Sequence, residues 1–141
     1  MKILAVDLGR ARTGLAVCDE SELLASPAGV ISEYNMERLA HTIAAQAAEK
    51  AVGIIVVGLP RNMDGSEGES AKNARAFAEN LQKLVDVPVT MRDERGTTIT
   101  AHGYLNETDT RGKKRKAVVD AVAATIILQD YLDYRRNHKE N

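Results

Sequence analysis

The sequence predicts an α/β domain in which helices flank a five-stranded mixed sheet. In the second half of the chain, short apolar runs alternate with longer segments of helical periodicity, a pattern typical of parallel strands joined by helical crossovers. In the first half, three apolar runs follow one another through short turns, which indicates an antiparallel meander. With 141 residues and 44% hydrophobic content, the chain suits a single domain spanning residues 1–141.

The first three strands form the predicted meander. Residues 3–7, ILAVD, have the pattern of a fully buried strand, and residues 13–19, TGLAVCD, form the second strand after a short turn. Residues 23–31, LLASPAGVI, form the third, and Pro27 places it at a sheet edge because proline cannot donate a ladder hydrogen bond. Strand one therefore lies inside the sheet and strand three outside.

Two amphipathic helices and two parallel strands, four and five, follow. Asn35 is the predicted N-cap of a helix whose apolar stripe recurs at positions 36, 39, 40, 43, 44, 47 and 51. Residues 53–60, GIIVVGLP, predict a central strand buried on both faces. Ser66 and Glu69 have the spacing of a capping box at the start of the second helix, and residues 88–91, PVTM, form the last strand.

The C-terminal part is predicted to contain a flexible loop, a long helix and a frayed tail. The segment at 106–116, NETDTRGKKRK, has no apolar residue that could anchor it to a core. The helix from about Ala117 to Tyr134 is apolar almost all round, which predicts packing on several sides. Residues 135–141 are expected to be frayed and solvated.

The overall composition limits the classes of function. With 19 Lys and Arg against 20 Asp and Glu, the net charge is -1, so any attraction to a polyanion must be local. The single cysteine, Cys18, excludes an internal disulfide or a cysteine-based metal cluster and fits a reducing compartment. The first apolar run is too short for a signal peptide and no run suits a membrane span, so we expect a cytoplasmic protein that does not associate with membranes.

Three carboxylates occupy positions where burial is costly: Asp7 ends an apolar strand, Glu94 follows another, and Asp120 interrupts an apolar helix. Asp7 and Glu94 share one sheet edge if strands one and five are parallel, and a helix packed on the sheet brings Asp120 close. Two carboxylates about 4 Å apart repel by roughly 4 kcal/mol at an effective dielectric of 20. A divalent cation removes that repulsion, so the pattern predicts a catalytic Mg²⁺ site, or one for Mn²⁺.

Each carboxylate also has a purely structural interpretation. Asp7 can cap the turn that follows it, Glu94 can join a salt network with neighbouring arginines, and Asp120 can interact with the helix dipole. The sequence also leaves open whether Asp93 contributes to the site beside or instead of Glu94, because adjacent strand residues face opposite ways.

A basic run before the final helix predicts contact with phosphate. Cations are disfavoured at a helix N-terminus, so helix stability does not explain the run, whereas a nucleic-acid backbone does. A solvated charged segment is the alternative. Arg10 and Arg12, in the turn after Asp7, are further candidates for phosphate contact. The residues of the run are Lys113, Lys114, Arg115 and Lys116.

Four motifs, in order along nearly the whole chain, resemble the bacterial YqgF-type family. They are DLGRARTG at 7–14, VGLPRNMDGSEGESAKNARAFAENL at 57–81, DERGTT at 93–98 and KAVVDAVAATIILQDYL at 116–132. The resemblance implies an RNase H-like fold and a metal-dependent nuclease that processes the 5′ end of pre-16S ribosomal RNA during ribosome biogenesis. It also implies that Asp7, Glu94 and Asp120 are the catalytic, metal-binding acids and that Arg12 binds nucleic acid.

Three alternatives remain open from the sequence. The family is also associated with Holliday junction resolution, which makes branched DNA the rival substrate. A non-catalytic RNase H-like scaffold that binds RNA in ribosome assembly is a second alternative. A third is an ATPase of the actin and sugar-kinase type, suggested by the D-x-G-x-x-x-x-G spacing from Asp7 to Gly14, although that class normally needs two such domains. The expected partners are structured RNA and pre-ribosomal particles, and the chain is expected to act as a monomer or homodimer.

Overall fold

The computed structural model describes residues 1–62, 64–93 and 112–138, and for residues 112–121 it describes the backbone alone. Within these ranges the chain forms five strands and three helices. In chain order they are β1 (Ile3–Asp7), β2 (Arg12–Cys18), β3 (Ala25–Ser32), α1 (Met36–Glu49), β4 (Ile54–Leu59), α2 (Glu69–Leu84), β5 (Val89–Asp93) and α3 (Gly112–Asn137).

The strands form one mixed sheet in the order β3-β2-β1-β4-β5. β1 and β2 pair antiparallel, as do β2 and β3, whereas β1, β4 and β5 run parallel. The predicted sheet is therefore confirmed, including the edge position of the strand that contains Pro27. A bulge interrupts this edge, since Leu15 pairs with Gly29 and Ala16 pairs with Pro27. The φ angle of +106° at Gly29 is one that glycine adopts without a steric penalty.

The two faces of the sheet are covered by different helices. Leu4 and Val6 of β1 belong to a buried cluster with apolar residues of α1 and α2, which defines the α1/α2 face. Ile3 and Ala5 belong to a second cluster with the buried residues of α3, which defines the α3 face. Side chains alternate between faces along a strand, so odd-numbered residues of β1 lie on the α3 face.

Helix α1 follows its predicted pattern closely. The Asn35 side chain accepts a hydrogen bond from the backbone N–H of Arg38 at 2.9 Å, as expected of an N-cap. Four residues of the apolar stripe are buried: Leu39, Ala40, Ile43 and Ala47. The stripe ends before Ala51, which lies beyond the helix with a φ of 55°.

Helix α2 begins without the predicted capping box. Its N-cap is Gly68, which makes no side-chain cap hydrogen bond. Ser66 instead closes the preceding loop, because its backbone N–H donates to Asp64 at 2.9 Å and its hydroxyl accepts from Asn62 at 2.9 Å. The hydroxyl of Ser66 is thus used within the loop, so the prediction that it caps the helix is wrong.

Helix α3 is longer at both ends than the sequence predicts. It begins at Gly112, so residues 112–116, expected to be loop, are helical, whereas 106–111 lie outside the described residues. Lysine and arginine are good helix formers, and no glycine or proline interrupts the segment after Gly112. No helix in the described part of the chain is long and apolar enough to cross a membrane.

The C-terminal end of α3 is tied to the turn between β2 and β3. The Arg135 guanidinium lies 2.7 Å from the Glu22 carboxylate, and the Gln129 side chain accepts from the N–H of Ala25 and donates to the carbonyl of Leu23. The prediction of a frayed tail from residue 135 is therefore wrong for 135–137, which are helical, whereas residues 139–141 lie outside the described ones.

Candidate active site

Asp7 lies at the carboxyl end of β1, in the middle of the sheet, and is partly buried. Ile3 and Ala5 pack on the α3 face, so strand alternation directs the Asp7 side chain to that face as well. The carboxyl ends of β1, β4 and β5 meet at the same edge, because these strands are parallel. The predicted position of Asp7, where α/β sheets bind ligands, is therefore confirmed.

Asp7 has a glycine beside it on each neighbouring strand. On β2 its direct partner is Gly14. On β4 the next residue in register is Gly58, which follows Val57, the partner of Val6. Ile54 and Val56 belong to the α3 cluster, so alternation places Gly58 on the same face as Asp7. On this face, the positions in register with Asp7 on both neighbouring strands therefore carry no side chain, and glycine inside a strand marks a close approach of a backbone or a ligand.

Arg12 is the first residue of β2 and lies on the α3 face with Asp7. Ala16 and Cys18 of the same strand pack in the α3 cluster, and even-numbered residues of β2 share their face. Gly14 pairs with Asp7, the last residue of β1, and Arg12 precedes Gly14 by two residues. Arg12 therefore lies beyond the carboxyl end of β1. Arg12 thus shares a sheet face and a sheet edge with Asp7, and its contact with phosphate stays a prediction.

The connection from Asp7 to Arg12 makes a close turn at Gly9. A Cβ atom at this position would lie 1.9 Å from the carbonyl oxygen of Arg12. The N–H of Gly9 also faces the hydroxyl of Thr13 at 3.4 Å, and Thr13 is fully buried. The absence of a side chain at residue 9 therefore determines how closely the loop returns toward β2.

The end of β5 shows the surroundings of Asp93, the first acidic residue of the DER motif. Arg92 contacts α3, with its Nε 2.7 Å from Asp130 and its guanidinium 4.6 Å from the ring centroid of Tyr134. Val89 and Met91 pack on the α1/α2 face, and Asp93 shares their parity. The Asp93 carboxylate lies 3.8 Å from Arg61, in the loop that leads to α2. Asp93 is thus directed to the face opposite Asp7.

Arg61 takes part in a charged network that sequence reasoning missed. Its Nε is buried and lies 3.3 Å from Glu67, although the pair lacks the alignment of a hydrogen bond. Glu67 in turn accepts two hydrogen bonds of 2.7 Å from Arg75 of α2. These hydrogen bonds, with the positive charges of Arg75 and Arg61, lower the pKa of Glu67 from 4.5 to about 2. The network joins the loop after β4 to α2 and to the end of β5.

The remaining predicted site residues lie where the structure describes the backbone alone or not at all. Glu94 follows the last residue of β5 and is outside the described residues. Asp120 belongs to α3, one turn before Ala124, whose side chain is buried against the sheet. Residues 113–116 form the first turns of the same helix.

Asp7 is the only predicted metal ligand whose side chain the structure describes. Among the described side chains, no group of three or more His, Cys, Asp and Glu lies together as a metal would require. Two of the three predicted ligands, Glu94 and Asp120, are not among those side chains. The chemistry of Asp7 fits a hard cation such as Mg²⁺, since a carboxylate supplies the oxygen ligands that this ion prefers.

The fold is that of the RNase H-like class. Two solved structures with the same architecture are T. thermophilus RuvC in complex with a Holliday junction substrate and the Fowlpox virus resolvase with Holliday junction DNA. For RuvC the TM-score is 0.59 at 15% identity, with 96% of each chain covered. For the viral resolvase the TM-score is 0.59 at 10% identity, with 95% of this chain and 98% of the other covered. At such low identity the likeness concerns the fold.

The chain belongs to the RuvX family, whose model is described as Holliday junction resolvase and matches residues 1–134. A protein of Anaeromyxobacter sp. (strain Fw109-5) named "Putative pre-16S rRNA nuclease" is 47% identical over 96% of this chain and 98% of its own length. A protein of Ruegeria pomeroyi with the same name is 42% identical over 96% of this chain and 88% of its own. The family predicted from the four motifs is thereby confirmed.

Proposed function

We propose that this chain is a metal-dependent endonuclease that processes the 5′ end of pre-16S ribosomal RNA in the cytoplasm, acting on RNA within pre-ribosomal particles. The names of its relatives support the RNA substrate. The observation that carries the proposal is the position of Asp7: a carboxylate at the carboxyl end of the central strand, with a glycine beside it on each side. A strand end built only for packing would not need an acidic residue at this position.

We assign Asp7, Glu94 and Asp120 as the ligands of one or two Mg²⁺ or Mn²⁺ ions. Asp93 is directed to the α1/α2 face, so continued alternation along β5 would bring Glu94 to the face of Asp7. Asp120 precedes Ala124 by one helical turn, and Ala124 packs on that same face. Bound metal ions would activate water for in-line attack on a phosphodiester and stabilise the leaving oxygen.

Two groups of cations would hold the substrate backbone. Arg12 shares the face of Asp7, so it can contact a phosphate next to the scissile bond. The basic run at 113–116 lies in the first turns of α3, the helix that carries Asp120. Contacts of this kind fix the register of the strand without reading its sequence.

Branched DNA is the second candidate substrate. It is favoured by the description of the matching family. The two solved structures named above, RuvC and the viral resolvase, were also determined with a Holliday junction. A non-catalytic RNA-binding scaffold is the third candidate. The three candidate functions predict different results for the same set of variants.

The test compares cleavage of a labelled pre-16S 5′ fragment and of a four-way DNA junction in Mg²⁺. We expect the wild type to cut the RNA, and Asp7→Asn and Glu94→Gln to lower the rate roughly 100-fold or more, the scale of losing transition-state stabilisation. Asp93→Asn is the matched control, and its rate should stay within a few-fold of wild type. Cleavage of the junction alone would establish the resolvase instead. RNA binding without cleavage, unchanged by Asp7→Asn and by removing Mg²⁺, would establish the scaffold.

A further inference from the structure

A cleft of about 680 Å³ opens on the α1/α2 face, beside the loop that follows Asp7. This volume is in the range of about 300–1,000 Å³ that is typical of small-molecule sites. Three segments form its walls: the loop after β1, the turn between β3 and α1, and one side of α2. The residues on which the argument depends are Arg10, Tyr34, Glu69, Asn73 and Asn80. We call this the Tyr34 cleft.

Tyr34 is an exposed aromatic residue on a firmly held backbone. Its side chain is 75% exposed. The residue before it, Glu33, donates its N–H to the carbonyl of Ala11 at 3.0 Å and pairs with Arg38 at 3.2 Å. The residue after it, Asn35, caps α1. The backbone around Tyr34 is therefore tied both to a helix and to the loop from Asp7 to Arg12, while the ring itself is left in solvent. An accessible ring on a fixed backbone is suited to stacking against a nucleic-acid base.

The opposite wall offers hydrogen-bonding groups. Asn73 and Asn80 are two turns apart on α2, and in the part of the chain that the structure describes neither side-chain amide has a hydrogen-bond partner. Each amide provides both donors and an acceptor, as the edge of a base requires. Glu69 also lines the cleft, and its negative charge disfavours a phosphate inside. The lining therefore suits a neutral aromatic ring better than a phosphate.

We infer that the Tyr34 cleft binds an unpaired base of the substrate strand, next to the site of cleavage. The inference rests on the proposed nuclease function. Arg10 lines the cleft and follows Asp7 by three residues. Its backbone therefore lies within about 10 Å of the Asp7 backbone. A strand whose scissile phosphate lies on the α3 face can pass over this loop and place its next exposed base against Tyr34. Arg10 is then placed to contact the connecting phosphate.

A single tryptophan tests the stacking directly. The chain contains no Trp, so Tyr34→Trp in the Asp7→Asn background gives one fluorescent reporter in a protein that should not cut its probe. The probes are a single-stranded RNA of about 12 nucleotides from the pre-16S 5′ end and its fully paired duplex. We expect the single strand to quench the fluorescence and the duplex, whose bases are stacked internally, to leave it unchanged. Absence of quenching while fluorescence anisotropy reports binding would overturn the inference.

Affinity measurements supply the second test. Tyr34→Ala should weaken binding of the single strand by about 5- to 100-fold, the scale of one stacked base, and Tyr34→Phe should restore it. Leu24→Ala is the matched control, because Leu24 is 67% exposed in the turn between β2 and β3 and lies outside the cleft. Equal affinities for wild type and Tyr34→Ala, with normal RNA cleavage by both, would refute base binding in the Tyr34 cleft. The proposed nuclease function would then still stand. Failure of the wild type to bind or cut the RNA would refute both.

Discussion

Substitution of Gly9 by alanine tests whether the turn after β1 controls the site. The added Cβ would lie 1.9 Å from the carbonyl oxygen of Arg12, and ordinary contact begins at 3.4 Å. The two backbone segments must therefore separate by about 1.5 Å, and overpacking of this kind destabilises by about 1–3 kcal/mol. Asp7 and Arg12 stand at the two ends of this turn, so the same displacement changes the position of Arg12 relative to Asp7.

Two measurements follow for Gly9→Ala. The melting temperature, followed by circular dichroism, should fall by several degrees, since about 1 kcal/mol shifts it by about 2–8 °C in domains of this size range. The rate of RNA cleavage should fall by about 100-fold at a temperature where the variant is folded, because a 1 Å misplacement of reacting groups has an effect of this size. Both effects are expected from the same backbone displacement.

Gly68→Ala is the matched control for Gly9→Ala. A Cβ atom at residue 68 would lie 4.0 Å from the Asn62 side chain, which is ordinary contact. This variant should keep its activity, although its melting temperature should also fall, because alanine is less favourable than glycine at a helix N-cap by about 1 kcal/mol. If Gly9→Ala melted and cut RNA like the wild type, the turn would not position the site and the reasoning from this contact would be wrong.

Three further predictions concern other parts of the structure. Gly58→Ala should reduce both cleavage and the rise in melting temperature on adding Mg²⁺, because its methyl group would stand in register with Asp7 on the same face of the sheet; unchanged values would show that residue 58 does not border the metal site. Arg135→Ala should lower the free energy of unfolding by about 0.5–1 kcal/mol in urea denaturation, since it removes the partly exposed pair with Glu22; no loss would show that the pair does not hold the helix end. Glu67→Gln should melt below the wild type at pH 7. This difference should vanish as the pH falls from 4.5 toward 2, because the pKa of Glu67 is held at about 2 by Arg75 and its stabilising charge is lost on protonation; a difference independent of pH would contradict that pairing.

The sheet could be predicted from local patterns because each strand carries its own signal. The proline at residue 27 indicated the edge, and the N-cap at Asn35 indicated the start of α1; both are confirmed. The start of α3 could not be predicted in the same way. A polar segment gives no apolar periodicity, so the helical residues 112–116 were indistinguishable from a loop. The hydroxyl of Ser66 was equally able to close a turn or cap a helix.

The position of Asp7 at the sheet edge could be predicted from the sequence, whereas its two glycine neighbours could not. Asp7 can be recognised in the sequence because it is an acidic residue at the end of an apolar strand. The glycines beside it could be recognised only from strand register, which pairs residue 7 with 14 and then with the distant 58. The glycine inside the apolar run at 53–60 was the available signal, since glycine within a strand marks close approach of a backbone or ligand. The Tyr34 cleft combines three separate segments, so no single motif indicated it.

The division of the sheet into two faces has a consequence for how the length of this protein can change in evolution. Since strand side chains alternate with a period of two, inserting or deleting one residue within β1 would turn Asp7 toward α1 and α2 and place an apolar neighbour on the α3 face. Length changes in the turn between β2 and β3 leave that parity intact. Homologous chains should therefore differ in length at the turn between β2 and β3. The number of residues from the start of β1 to Asp7 should be the same in all of them.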